Sequence, residues 1–376
     1  MKNFLLLCKT VCVLSVMFFL TSYVSQAQNP NTAITIGKKD SLFSKALNEK
    51  RDFWVSVPSS FRPDISYKKF PVVVLLDGDD HFFSIVGMVD RFSTNIGNEQ
   101  CPPMIIVGLL NTDRIRDFNP PFEKDSFAIF LKDELLPYID KNYPTEPYRM
   151  LIGHSIAGLR VVHTAIYYSN LFNSYLAIDP SLGHERNKWY EHARKDIEKF
   201  DLGKNRMYIG MGQTMPYKMP QDTASIKKDN TDHSNHMRRI MEFSETMMKK
   251  DTASDKKFEW KFHPNESHQS LTQLVTYEGI CFLFNWYKMT YLSEILDPET
   301  SSQNALKLLK DYYEMISGNL GYKVIPPENS VMIWYLFEYK KQKEKAYAIA
   351  EYNLTCHPDN KDAIEWVEKI KKDLNK

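Results

Sequence analysis

Short apolar runs punctuate the first three quarters of the chain, and nearly every one is followed by a segment whose apolar residues recur at helical spacing. Phe70–Leu76, Met104–Leu109, Tyr148–Ile152, Ser174–Ile178, Arg206–Met211 and Phe258–Phe262 read as strands. The unbroken apolar character of Phe70–Leu76 is that of a central strand covered on both faces. Arg51–Val57 differs, because Phe53, Val55 and Val57 alternate with Trp54 and Ser56, the pattern of a half-buried edge strand. Helical spacing predicts helices over His81–Thr94, Phe127–Tyr143 with a kink at Pro137, Leu159–Tyr168, Trp189–Ile197, Ser234–Met248 and Leu271–Trp286. Strands alternating with helices imply the α/β class, a mostly parallel, doubly wound sheet between helices with an antiparallel start.

Beyond about Leu292 the pattern changes to charged helices, Asn304–Met315, Ser330–Tyr339, Glu344–Asn353 and Asp362–Leu374, which make a small helical C-terminal extension. Small and aromatic residues interleave from Lys345 to Tyr352, and with Pro358 before the last helix this end resembles a tetratricopeptide helical hairpin. One such unit is too few for a solenoid and is expected to dock on the main domain. At the other end, Lys2 and Lys9 flank a start whose stretch Val11–Leu20 is almost wholly apolar, and Ser25-Gln26-Ala27 offers small residues at a cleavage site. The apolar stretch is shorter than the roughly 20 residues a membrane-spanning helix needs. The expected organisation is a signal peptide over residues 1–27, a main domain over 28–291 and the helical extension over 292–376. The mature chain is expected to be exported, periplasmic or secreted, with no stable membrane insertion after cleavage.

Composition narrows the function classes. With 43% hydrophobic and 25% charged residues in 376, the chain is globular rather than disordered. A net charge of +1 supplies no global field for nucleic acid or an anionic membrane, so a small-molecule substrate is the expected partner. Cys101, Cys281 and Cys356 are widely spaced and suggest neither a disulfide framework nor a zinc site, although one bridge is possible in an oxidising compartment. Asp232, His233 and His236 are a weak metal-ligand pattern that a solvated helix start explains as well. Neither a metal nor a cofactor is expected.

The chemistry gathers around Gly153-His154-Ser155-Ile156-Ala157-Gly158, where a strand meets a helix at a serine with small neighbours. This is a nucleophile elbow with Ala157 in place of the second glycine. His154 is expected to pack beside the serine rather than to titrate. A serine hydroxyl needs a general base and donors for the oxyanion formed on attack. His268, after the last predicted strand, is placed to be that base, since the chain order of such triads runs serine, acid, histidine. The acid is expected past the Arg206–Met211 strand, where Asp222 is the first carboxylate; Asp229, Asp232, Glu266 and a Ser-His dyad are the alternatives. Asp77-Gly78-Asp79-Asp80 ends the Phe70–Leu76 strand in a tight loop whose N–H groups suit an oxyanion hole, or simply make the turn. Between Asn111 and Pro120, Arg114 and Arg116 sit among carboxylates. They read either as local ion pairs that tie the loop down or as a rim that binds an anionic or catechol-bearing substrate.

These residues together resemble the esterase family that includes esterase D, enterochelin esterase-like enzymes, feruloyl esterases and mycolyl transferases. The resemblance covers roughly Asp52–Trp286 and rests on Phe70–Gly78, Met104–Leu109 with the Arg114–Pro120 loop, Glu134–Ile139, Gly153–Gly158, Asp179-Pro180-Ser181-Leu182 and Glu266–Ser270. It implies an α/β-hydrolase fold, Ser155 as nucleophile, His268 as base, and an oxyanion hole from the backbone N–H groups of Ile156 and of the Gly78-Asp79 loop, at Asp79. Ala157, Gln269 and the lack of an acid immediately after Met211 depart from the family pattern. With its helical extension the chain is similar to members known as siderophore esterases. The implied function is a serine esterase working through an acyl-enzyme; a non-catalytic binding protein of the same fold and an acyltransferase using the same serine are the alternatives.

Overall fold

Every residue of the valine-rich run Phe70–Leu75 is buried, as are all five of Ile105–Leu109 and of Ser174–Ile178. Strands so covered have to sit inside a sheet with helices on both sides. The computed structural model describes residues 34–58, 69–94, 99–216, 222–328 and 330–375; the expected signal peptide lies outside them. Lys39–Lys376 form one compact unit. Its sheet has eight strands: β1 (Lys38–Ser44), β2 (Glu49–Ser56), β3 (Phe70–Leu75), β4 (Ile105–Leu109), β5 (Thr145–His154), β6 (Ser174–Ile178), β7 (Arg206–Gly212) and β8 (Phe258–His263). They lie in the order β1-β2-β4-β3-β5-β6-β7-β8. The β2–β4 pair is antiparallel, and from β4 through β8 each neighbouring pair is parallel. The architecture is the α/β-hydrolase one expected from the sequence. Strand β1 was not expected, because its mixed polar residues are mostly exposed or half-buried and show no alternation.

Alternate residues of the central strands feed two cores. Val72, Val74 and Leu151 join one with residues of α2 (Ile156–Tyr167), α3 (His184–Lys199) and α4 (Asp232–Lys250). Val73, Leu75, Met150 and Ile152 join the other with residues of α1 (Gly78–Ser93) and α5 (Thr272–Leu283). The helix expected over Phe127–Tyr143 carries its irregularity before Pro137 rather than at it. Phe130–Leu135 is a π turn in which the Leu136 N–H bonds the Leu131 carbonyl, five residues back. The wider turn makes room for a proline ring that would otherwise clash with the preceding turn.

Behind the elbow helix lies a buried polar network. Arg160 of α2, with its side chain fully covered, donates to Asp125 at 2.5 Å. His163 meets the same carboxylate through Nε2 at 3.2 Å and accepts from the Trp189 indole N–H at 3.0 Å. Asp125 also caps the helix start at Ala128 N, so one carboxylate ties that start to α2 and, through His163, to Trp189 of α3.

The segment after Leu292 is helical as expected, with longer helices at Ser302–Leu320, Lys343–Cys356 and Lys361–Leu374. They enclose a third core that includes Leu309, Ile316, Ile349 and Ile370. Trp286, Tyr287 and Val324 pack against both this core and the one beneath α1 and α5, so the extension is joined to the main domain by shared apolar surface. The three cysteines described are free thiols. Among the described residues, no helix is long and apolar enough to cross a membrane.

Candidate active site

Parallel register gathers the strand ends. Leu75 pairs with Ile152, His154 with Ile178, Ile178 with Gly210 and Gly212 with His263. The residues just beyond the carboxyl ends of β3, β5, β6, β7 and β8 therefore lie side by side, the place where open parallel sheets bind ligands. They are the Asp77–Asp79 turn, Ser155, Asp179, Gln213 and the loop bearing His268.

Ser155 stands alone between β5 and α2 with φ 62 and ψ −121, a left-handed backbone at a non-glycine residue. Such a conformation costs about 1–3 kcal/mol and persists only where its surroundings enforce it. Here the Ser155 N–H donates to the Ile178 carbonyl at 2.9 Å, and its carbonyl accepts from Ser181 and Leu159 N–H groups at 2.9 and 3.0 Å. Gly153 is required because a Cβ there would lie 2.5 Å from the Ala157 carbonyl oxygen. Ala157, fully buried, closes the turn without the second glycine. The serine hydroxyl lies 3.2 Å from Ser181 Oγ; among the described residues no hydrogen bond joins it to His268.

The acid beside His268 is not the one expected from the sequence. His268 Nδ1 lies 2.6 Å from Asp179 Oδ2. Asp179 follows β6, is fully buried with φ 40, and accepts the Gly212 N–H at 3.1 Å. Burial alone would raise its pKa, but contacts with His236 and His268 outweigh that and hold the carboxyl well below its ordinary range. Asp222, expected to hold the base, instead caps a short helix, its carboxylate accepting the Ser225 N–H at 2.9 Å, fully exposed to solvent. The rivals also stand apart from His268: Asp229 bonds Thr231 and Ser234, Asp232 is exposed in the first turn of α4, and Glu266 accepts from Ser270 Oγ at 2.6 Å. The signal for Asp179 was present in the sequence, as the first residue after the strand next to the elbow strand.

His236 reaches the same carboxylate, its Nε2 3.3 Å from Asp179 Oδ1. Among the described residues, Asp179, His236 and His268 are the group whose donor atoms, all within 4.8 Å of one another, could hold a metal ion. This differs from the Asp232, His233 and His236 pattern considered in the sequence. The short Asp179–His268 contact makes the group, first of all, a carboxylate shared by two imidazoles.

Both arginines expected at a substrate rim are committed elsewhere. Arg114 grips Asp77 with two hydrogen bonds, of 2.7 and 2.8 Å, and reaches the His154 carbonyl at 3.2 Å. Arg116 pairs with Glu49 at 2.7 Å and with Asp117 at 2.7 Å, while Asp117 also receives the fully buried Arg51. The loop is thus held by ion pairs, and Arg114 clamps the β3 turn to the elbow. That turn starts α1 earlier than expected, at Gly78, with Asp77 left-handed at φ 54. Gly78 sits so tightly on β4 that a Cβ would lie 2.5 Å from the Gly108 carbonyl carbon. Ile156 and Asp79 are both first-turn residues of helices, where N–H groups have no intrahelical acceptor and the helix end favours negative charge.

His154 is buried and donates through Nε2 to the His268 carbonyl at 2.8 Å. Burial, reinforced by His268 alongside, lowers its pKa from 6.5 to about 4. Between those values the unfolded chain takes up a proton that the folded chain refuses, so stability falls as pH is lowered. The share of His154 in that loss is roughly 3 kcal/mol once the pH is below its folded-state value. Urea unfolding at a series of pH values should show this slope, and His154→Gln should flatten it; an unchanged slope in the variant counts against the assignment.

Three residues past Ser181, whose carbonyl accepts the His184 N–H at 3.0 Å, an open cleft of about 380 Å³ begins, walled by Phe122, Trp189, Pro120 and Lys188. Glu185, Arg186 and Asn187 on its edge are all left-handed, with φ of 46, 54 and 69.

Residues 44–266 match the model of the family described as Esterase, "Putative esterase". The chain belongs to this esterase family. Ferri-bacillibactin esterase BesA of Bacillus subtilis is 26% identical over 180 residues, 40% of this chain and 61% of BesA. The siderophore enterobactin esterase of Emericella nidulans is 24% identical over 257 residues, 59% of this chain and 84% of that one. The chain spans 59% and 61% of the lengths of the two Bacillus subtilis relatives it matches. Among solved structures, an IroE-like serine hydrolase from Shewanella oneidensis superposes with a TM-score of 0.63 at 22% identity, over 90% of this chain and 99% of that protein. That likeness extends the shared fold beyond the segment matched by the family.

Proposed function

We propose that the esterase is an exported serine carboxylic-ester hydrolase that works through an acyl-enzyme on Ser155. The observation that carries this reading is a strained serine at the end of a central strand whose preceding residue, His154, packs against His268, a histidine with its Nδ1 2.6 Å from a buried carboxylate. Rotation of the hydroxyl from Ser181 toward His268 Nε2 lets the imidazole take its proton as Oγ attacks the ester carbonyl. Asp179 keeps the Nδ1 proton in place and stabilises the imidazolium. The negative charge on the carbonyl oxygen falls to the N–H groups of Ile156 and Asp79. His268 returns the proton to the departing alcohol oxygen, and water then cleaves the acyl-enzyme by the same steps in reverse roles. A siderophore ester is the substrate class nominated by BesA and by the Emericella enzyme. The cleft of Phe122, Trp189 and Lys188 suits an aromatic acyl group with an acidic hydroxyl. The basic and apolar start of the sequence supports export.

The test is covalent labelling by a fluorophosphonate, followed by product analysis with a trilactone siderophore. Labelling confined to Ser155 and lost in Ser155→Ala is the expected result. A folded protein that takes no label is instead a binding protein, and an ester formed with added alcohol marks a transferase.

A further inference from the structure

Resting on the serine-esterase reading, we infer that His163 is a positioning residue which, by joining Asp125 to Trp189, sets the width of the cleft beside Ser181 and so its choice of acyl group. The two walls of that cleft come from distant parts of the chain. One is the loop from Pro120 to Glu123, and the other is the start of α3, with Lys188 and Trp189. At the rim the walls meet through exposed groups: the Phe122 ring lies 4.4 Å from that of His192 and 5.4 Å from the Lys188 ammonium. Contacts of this kind are weak at exposed sites. At the base the walls are pinned. The first runs on through Lys124 into Asp125, whose carboxylate accepts from Arg160 and meets His163 Nε2 at 3.2 Å. From the second, the Trp189 indole N–H donates to His163 Nδ1 at 3.0 Å. An indole N–H can only donate, so Nδ1 accepts and the proton of the neutral ring sits on Nε2, facing the carboxylate. Burial favours that neutral form. Each ring nitrogen is thus committed to one wall, and the imidazole fixes their separation.

Two further observations set this network apart from ordinary packing. Trp189 is almost fully buried while lining the cleft, so its ring is the floor, and a tilt of that ring changes the depth. Arg160 is fully buried, yet its Nε and Nη2 have no hydrogen-bond partner among the described residues. An ionic group buried with so little pairing is a poor source of stability compared with apolar packing, which leaves geometric definition as its contribution. The reaction itself uses none of these side chains. Loss of His163 leaves the Trp189 N–H and Asp125 without their shared partner, and the two walls then move independently. A flat, rigid acyl group that needs one width is disfavoured, whereas an acetyl group too small to reach the cleft is unaffected.

The experiment compares wild type, His163→Leu, His163→Gln and Trp189→Phe on the benzoyl, butyryl and acetyl esters of one activated alcohol. In His163→Leu the ratio of kcat/KM for benzoyl over butyryl should fall about tenfold, carried by KM. Turnover of the acetyl ester should change by less than about twofold. His163→Gln, whose amide offers one acceptor and one donor, should restore most of the ratio. Trp189→Phe leaves the Asp125 pair intact and should lower the ratio as well, which keeps the test open if His163→Leu does not fold. In parallel, the indole N–H of Trp189, identified by its loss in Trp189→Phe, should exchange with solvent about tenfold faster in His163→Leu. An unchanged benzoyl-to-butyryl ratio, or an equal loss on all three esters, overturns the inference. If the wild type turns over no ester, it is the hydrolase reading that fails; binding of benzoate against butyrate and exchange of the indole N–H in the same variants then decide whether His163 defines the cleft.

Discussion

Ser155→Ala is expected to lower kcat for an activated ester by about 10⁶-fold, His268→Ala by a similar factor, and the double variant by no more than either alone. The reason is that nucleophile and base act as one unit: without Oγ there is no proton for His268 to accept, and without His268 the hydroxyl stays protonated. The strained φ of 62 at Ser155 is imposed by the Ile178, Ser181 and Leu159 contacts of its backbone, none of which involves the side chain. The alanine variant should therefore fold like wild type. Steady-state and burst-phase kinetics check this, and a Ser155→Ala protein retaining a tenth of the activity would mean a different nucleophile.

The second large effect separates two aspartates. Asp179→Asn should cost about 10⁴-fold in kcat, because an amide donating to His268 Nδ1 forces the proton onto Nε2, where it blocks acceptance from Ser155. Asp222→Asn should change kcat by less than about twofold, since asparagine caps a helix as well as aspartate does and the group faces solvent. Parallel measurement of both variants decides the matter. Equal, small losses would return the site to a Ser-His dyad.

Much of this was legible in the sequence, and the reasons are specific. Strands β3, β4 and β6 are buried on both faces and so are written in continuous apolar letters. The elbow follows such a run directly, at the end of β5, whereas His268 comes a loop after β8, whose exposed and half-buried residues are those of an edge strand. Strand β1 was illegible because its exposed polar residues leave no periodic mark. Chain order points to an acid after β7, whereas the carboxylate that meets His268 follows β6, and only the pairing of β6 between β5 and β7 reveals that Asp179 lies between the two loops. Arg114 and Arg116 carried two readings in the sequence. The partners that decide between them, Asp77 and Glu49, lie far away along the chain.

The gathering of strand ends also bears on how the protein reaches its active form. Asp77, Ser155, Asp179 and His268 come from segments spread across almost the whole hydrolase domain, and no two of them are brought together by local chain alone. Closing such loops is slow, because the entropy of distant encounters is spent before their contacts form. His268 follows β8, the edge strand whose neighbour in the sheet is β7. If the site is catalytic, regain of activity during refolding should therefore lag behind the return of the spectroscopic signal from helices and central strands.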